Sequence, residues 1–172
     1  MRVRVKNAGL VAAAVGAAAL AVAVPAEAVP AEVVPAEVVP AEVVAPEADV
    51  AYHGHTALWQ GRLGVWLTPQ NHGPADVSDA TVRLRTSAPL ADGQELPDRC
   101  LRGGQRVVLC STGGIGAGGW SEELALDLRL KGSPSEVTVR IDTVWNGGAQ
   151  DRNTANNRHK VLTLETGDLY AF

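Results

Sequence analysis

The chain has 172 residues, of which only 4% are aromatic, and 15 Lys and Arg stand against 19 Asp and Glu for a formal charge of −4. That is a one-domain length whose core must be built from small aliphatic side chains, and the acidic balance makes nucleic acid a poor partner.

Residues 1–28 open with Arg2, Arg4 and Lys6, continue through an apolar run from Ala8 to Val24, and end in Ala26-Glu27-Ala28. This is the three-part pattern of a secretory signal peptide. The alternative, an uncleaved anchor, is the one route to a membrane, although the run is short and alanine-rich for a span. Either way the expected location is extracytoplasmic, secreted or in the cell envelope. Setting residues 1–28 aside leaves 12 basic and 18 acidic side chains.

Residues 29–49 hold an internal repeat of period five, Val-Pro-Ala-Glu-Val, in three regular copies and a degenerate fourth ending at Ala48. Proline at every fifth position breaks helix and sheet ladders, and the evenly spaced glutamates repel one another, so the segment reads as an extended, semi-rigid spacer. A motif for a proline-reading partner is the alternative. Its five acids, Glu32, Glu37, Glu42, Glu47 and Asp49, face no base. Residues 50–172 are then nearly neutral, with 12 basic and 13 acidic residues and no expected steering field.

From Val50 the hydrophobic period is two. Leu63, Val65 and Leu67 alternate with other residues, as do Val82 and Leu84 with Arg83 and Arg85. Leu124 to Leu130 and Val137 to Thr143 do the same, and Trp145 continues the inward series of the latter. These are half-buried strands, and Lys160 to Thr166 reads as the last. Turn signals separate them at Pro69 to Pro74, Ser87-Ala88-Pro89, Gly103-Gly104, Gly113 to Gly119, Lys131 to Pro134 and Asn146 to Gly148. About seven one-sided strands without a helical period predict an all-β fold, an immunoglobulin-like antiparallel β-sandwich over residues 50–172. A barrel is the alternative.

Export decides how the two cysteines read. In an oxidising compartment an isolated pair forms a disulfide, and Cys100 and Cys110 would close a short hairpin. On the chain-entropy model such a loop adds roughly 2 to 3 kcal/mol.

Several local patterns suggest chemistry. Gly114 to Gly119 fits G-x-G-x-x-G, but the leucines that follow alternate as in a strand, so a flexible connection replaces a phosphate cradle. His53 and His55 fall on one face of an expected first edge strand, as a metal pair requires, yet no third ligand is evident and solvated histidines are preferred. Asp151, Asn153, Asn156 and Asn157 offer oxygen ligands for calcium without the EF-hand pattern, and Asp and Asn serve turns equally well, so a structural loop is expected. Glu122 and Glu123 are adjacent and point to opposite faces of a strand, and no serine sits in a nucleophile elbow, so no catalytic residue, cofactor or metal is assigned. Trp59, Trp66, Trp120 and Trp145 suit a stacking platform for sugars, with a place in the core as the alternative, and Trp59 and Trp66 are the candidates for ligand stacking, because Trp66 lies out of phase with Leu63, Val65 and Leu67. Leu164-Glu165-Thr166-Gly167 resembles a sortase signal one residue short, and Asp168 to Phe172 reads as an ordered tail covering an edge.

Asn71-His72-Gly73-Pro74-Ala75-Asp76-Val77, the cysteine hairpin and Asp151-Arg152-Asn153-Thr154-Ala155-Asn156-Asn157 together resemble motifs of the bacterial conserved-repeat surface domain, a family of unknown function. The last of these motifs is shared with the adhesion-type CARDB domain. The likeness runs from about Leu63 to Thr166 and implies an immunoglobulin-like module of secreted and envelope proteins, with no catalytic residues to carry over. This chain holds one copy and has Ser87-Ala88-Pro89-Leu90 where that family has an Asp and a Leu-Pro-x-Gly turn. The expected function is a non-enzymatic exported module in contact with an envelope protein or cell-wall polymer. A small secreted hydrolase and a carbohydrate-binding module are the alternatives.

Overall fold

The computed structural model describes residues 44–172. The signal-peptide pattern of residues 1–28 and the pentads up to residue 43 lie outside the described residues. Eleven strands follow in order: β1 (Glu47–Ala48), β2 (Val50–Trp59), β3 (Arg62–Asn71), β4 (Thr81–Thr86), β5 (Cys100–Gly104), β6 (Val107–Ser111), β7 (Leu124–Arg129), β8 (Glu136–Trp145), β9 (Gln150–Asp151), β10 (Arg158–Leu164) and β11 (Tyr170–Ala171). There is no helix among the described residues.

The strands form a four-stranded sheet, β11-β2-β3-β7, a five-stranded sheet, β10-β8-β4-β6-β5, and a two-stranded β1-β9 pair. Both large sheets are antiparallel, whereas β1 and β9 run parallel. Alternation fixes which side of each strand is buried. Leu63, Val65 and Leu67 on β3 and Leu124, Leu126 and Leu128 on β7 meet Val82, Leu84, Val108, Val137, Val139 and Ile141 in one apolar cluster. Two sheets sharing one core make a sandwich arrangement. Across that core the hydroxyls of Thr56 and Thr163 bond at 2.5 Å, and Tyr52 meets the Thr143 hydroxyl at 2.7 Å. Burial pushes the Tyr52 phenol up to about 12; the Thr143 bond opposes the shift, while the Asp142 and Asp151 carboxylates add to it.

The longest pairing joins β2 and β3 through Gln60 and Gly61, whose φ angles of 51° and 70° are those of a two-residue turn twisted to suit the strands. The other side of β2 is closed piece by piece. Asp151 takes the Val50 N–H, the Asn156 carbonyl that of Tyr52, and the Phe172 carbonyl that of Gly54, while Tyr170 pairs with Thr56 and the Gly167 N–H reaches the Leu58 carbonyl. The tail from Asp168 thus covers an edge, and β2, with its histidines, is an interior strand rather than the edge expected.

Other expectations shift. The described residues form eleven strands rather than about seven; three are only two residues long, and eight longer ones remain. The ordered domain begins before Val50, since Glu47 and Ala48 pair with Gln150 and Asp151 and Ala48 is buried. The last long strand starts at Arg158, not Lys160. Trp145 is 48% exposed rather than buried, because the β4–β8 register shifts between Thr81 and Val82 and turns Trp145 outward, opposite Thr81.

The glycine-rich link between β6 and β7 is pinned rather than flexible. Ile115 is buried in the core and exchanges backbone bonds of 2.8 and 3.0 Å with Val77, while Asp76 accepts from the Ala117 N–H and Asp79 from the Gly113 N–H.

Candidate functional site

On β2 the odd-numbered residues from His53 to Trp59 point away from the core, and on β3 the even-numbered residues from Arg62 to Gln70 do so. Register then places His53 opposite Thr68, His55 opposite Trp66, Ala57 opposite Gly64 and Trp59 opposite Arg62. Across β3, Ala125 stands opposite Trp66 and Asp127 opposite Gly64. The outer face of the four-stranded sheet is therefore a floor of small residues with aromatic rings standing on it.

Trp66 lies over Gly64, so close that a Cβ there would fall inside its ring, and stacks on His55 with centroids 4.8 Å apart and planes 19° from parallel. It is half-buried rather than free, because Gly64 lets it lie flat. Trp59 stands at the hairpin end, 56% exposed. Between them runs an open groove of about 270 Å³, floored by Ala57 and Gly64 and flanked by Arg62 and Asp127. Arg62 and Asp127 form an ion pair that is half-exposed on both sides and contributes little to stability.

At the other end, the Trp120 ring lies 5.4 Å from His53, and His72 lies 6.3 Å from His53. Trp120 is 58% exposed and is placed by a bridge to Gln70 and by the Ser121 N–H on the Pro69 carbonyl. Three of the four tryptophans and three of the four histidines share this face. From Arg62, beside Trp59, to Gln70, beside Trp120, β3 runs roughly 26 Å at its usual rise.

Asn71 holds the far end in place. Wholly buried, its carboxamide oxygen accepts from the Asp49 and Gly73 N–H groups at 3.1 and 2.9 Å, and its nitrogen donates to the Ala75 carbonyl at 2.7 Å and more distantly to that of Gly116. His72, on the chain it fixes, lies 3.9 Å from the Asp49 carboxylate.

The remaining predicted residues lie elsewhere. Cys100 and Cys110 stand opposite each other on β5 and β6 and are joined by a disulfide, with Cα atoms 4.1 Å apart. The bridge ties β5, the last strand of its sheet, to the buried Cys110. Asp151 accepts from the Val50 and Asn153 N–H groups and from the Asn157 side chain, and Asn156 donates to Asp49 at 2.7 Å. Asp151 Oδ2 thus fastens the loop to β2, whereas Asn156 Oδ1 is buried with no hydrogen-bond partner among the described residues. Glu122 reaches only Arg99, at 3.6 Å. Gly167 of the sortase-like tetrad forms part of the cover on β2.

Sequence reasoning grouped all four tryptophans as a platform and singled out Trp59 and Trp66; the structure adds Trp120 to their face but not Trp145, and His72 was not anticipated there. Trp120 and His72 both lie outside the named strands, where alternation carries no phase. In comparisons with known proteins, no family model, no curated protein and no solved structure matches the chain.

Proposed function

We propose that this protein is an exported, non-enzymatic module of immunoglobulin-like type, carried on a Pro-Glu spacer, that binds a cell-wall glycan along the aromatic face. In this reading it serves adhesion or interaction in the envelope. The observation that carries the reading is the gathering of Trp59, Trp66 and Trp120 on one sheet face, two of them more than half exposed. Exposed indoles leave apolar area in water at a cost, and flat rings in a row suit the faces of sugar rings. The disulfide is consistent with an extracytoplasmic location. The likeness to the conserved-repeat and CARDB domains supports the same setting. The hydrolase alternative gains no comparable support: the Ser111 hydroxyl is bound to Asp79 and that of Ser121 to the Thr112 carbonyl.

The test is titration of the full chain with soluble cell-wall glycan fragments, read by tryptophan fluorescence and calorimetry. A stacked aromatic ring contributes on the order of 1 to 2 kcal/mol, so Trp59→Ala and Trp120→Ala should each weaken binding roughly 5- to 30-fold with unchanged circular dichroism. Flat titrations over the fragment set, or equal binding by both variants, would end this reading.

A further inference from the structure

The outer face of the five-stranded sheet carries a second cluster, independent of the aromatic face. Lys160 on β10 stands opposite Arg140 on β8, and Arg140 stands opposite Arg85 on β4. Three cations thus form one row across three strands, roughly 10 Å long at the usual strand spacing. Arg158 adds a fourth, two residues along the same face of β10, about 7 Å from Lys160.

The nearest acid is already committed. Asp142 stands between Arg158 and Arg83 in the next row and is held by two bonds from the Arg83 guanidinium. Among the described residues, Arg85, Arg140, Arg158 and Lys160 form no ion pair. Like charges directly opposite across a sheet are destabilising, so the row works against the fold that presents it.

We propose that this row is a binding site for a phosphate-bearing polymer. An open groove of about 320 Å³ lies over it, lined by Arg85, Arg140, Lys160 and the hydroxyl residues Ser87 and Thr138. Guanidinium groups take phosphate oxygens in pairs, and neighbouring phosphates would concentrate negative charge within the length of the row. The acidic pentads of the same chain fit less well. Their glutamates recur only at every fifth residue with apolar residues between, whereas a polyphosphate carries a charge on every unit.

The test uses the full chain and linear inorganic polyphosphate, by calorimetry at several salt concentrations. Binding should weaken with salt at a log–log slope of about −2 to −3, as expected for three or four neutralised charges. Arg140→Gln with Lys160→Gln should lower affinity at least tenfold without lowering Tm, because it relieves repulsion. Trp59→Ala should leave this binding unchanged. No binding at low salt, or equal binding by the double variant, overturns the proposal. Two further arms name other occupants. If vesicles of anionic phospholipid bind and polyphosphate does not, the face belongs to a membrane and the proposal fails. If polyphosphate binds only after Glu32, Glu37 and Glu42 are changed to Gln, the spacer is the resident occupant and the proposal also fails.

Discussion

Replacing Asn71 by alanine removes a side chain that joins the end of β3 to Asp49, just after β1, and to the glycine-rich link. The wild-type amide satisfies the N–H groups of Asp49 and Gly73 and the carbonyl of Ala75, all around a fully buried position. The Gly116 carbonyl loses little, since its bond to Asn71 is 3.4 Å long and it also accepts from the Gly119 N–H at 2.9 Å. Three backbone groups are therefore left unpaired, and each costs about 1 kcal/mol or more when water cannot reach it. The expected loss is about 3 kcal/mol, a large part of the 5 to 15 kcal/mol typical of a domain. Urea unfolding followed by tryptophan fluorescence measures it, with the slope unchanged if the variant keeps the native fold. The loss should be accompanied by increased exposure of Trp120, because the Asn71 N–H also bonds the Gly119 carbonyl at 2.9 Å and ties the far end of the aromatic face to this corner. A loss below 1 kcal/mol would mean that water replaces those bonds, and the account of a buried organising amide would be wrong.

Three further perturbations test other parts of the fold. Replacing Cys100 and Cys110 together with alanine should lower stability by about 2 to 3 kcal/mol on the chain-entropy model for a separation of ten residues; a change under 1 kcal/mol in urea unfolding contradicts it. Tyr52 has its pKa raised from 10.0 to about 12 by burial, so the folded state holds the proton that the unfolded chain releases. Its contribution is therefore complete below pH 10 and is lost as pH rises towards 12, by about 3 kcal/mol; Tyr52→Phe should lack that alkaline decline, and parallel curves for the two proteins would refute it. Gly64→Ala places a methyl group where the Trp66 ring lies, and the ring is free to swing outward. The variant should unfold within about 1 kcal/mol of wild type, show red-shifted emission and bind glycan more weakly, whereas unchanged emission would place Trp66 elsewhere.

The core was readable because packing acts on one face of each strand. Leu124 to Leu128 and Val137 to Ile141 alternate in the sequence and are buried alternately in the sandwich. Legibility failed where phase is broken or too short to count. One register shift sends Trp145 outward, and β1, β9 and β11 have two residues each. The β5 strand, Cys-Leu-Arg-Gly-Gly, has no hydrophobic alternation at all and is identified only by its cysteine. For the candidate site, the outward phase of Trp66 was visible, but its partner His55 depends on register between strands, which a single sequence does not encode locally. The cation row was hidden for the same reason. Arg85 visibly alternates with Leu84 on β4, yet its place in one row with Arg140 and Lys160 follows only from how β4, β8 and β10 are aligned.

Edges and faces together narrow how this sandwich can meet a partner. Strand addition requires an unpaired backbone edge, and the outer edge of β2 is closed by Asp151, Asn156 and the C-terminal residues. On the opposite side of that sheet, the Ala91 N–H takes the Arg129 carbonyl, and Gln94 bonds the backbone of Arg129, covering the end of β7. In the other sheet, the terminal strand β10 carries Arg158 and Lys160, charges that discourage pairing with a second sheet. The remaining edge, β5, is five residues long and ends in two glycines. Beside these edges stand two broad outer faces whose chemistries are opposite in kind: rings over glycine and alanine on one, an unneutralised cation row on the other. Neither choice serves folding, since exposed indoles and facing cations both cost stability where a mixture of threonine, glutamate and lysine would not. On the two proposals made above, polymers of different chemistry on the two outer faces would account for both costs. The decisive comparison is a cross-test, in which Trp59→Ala affects only glycan and the Arg140→Gln, Lys160→Gln variant affects only polyphosphate; if either change weakens both ligands, the two faces are not separate sites.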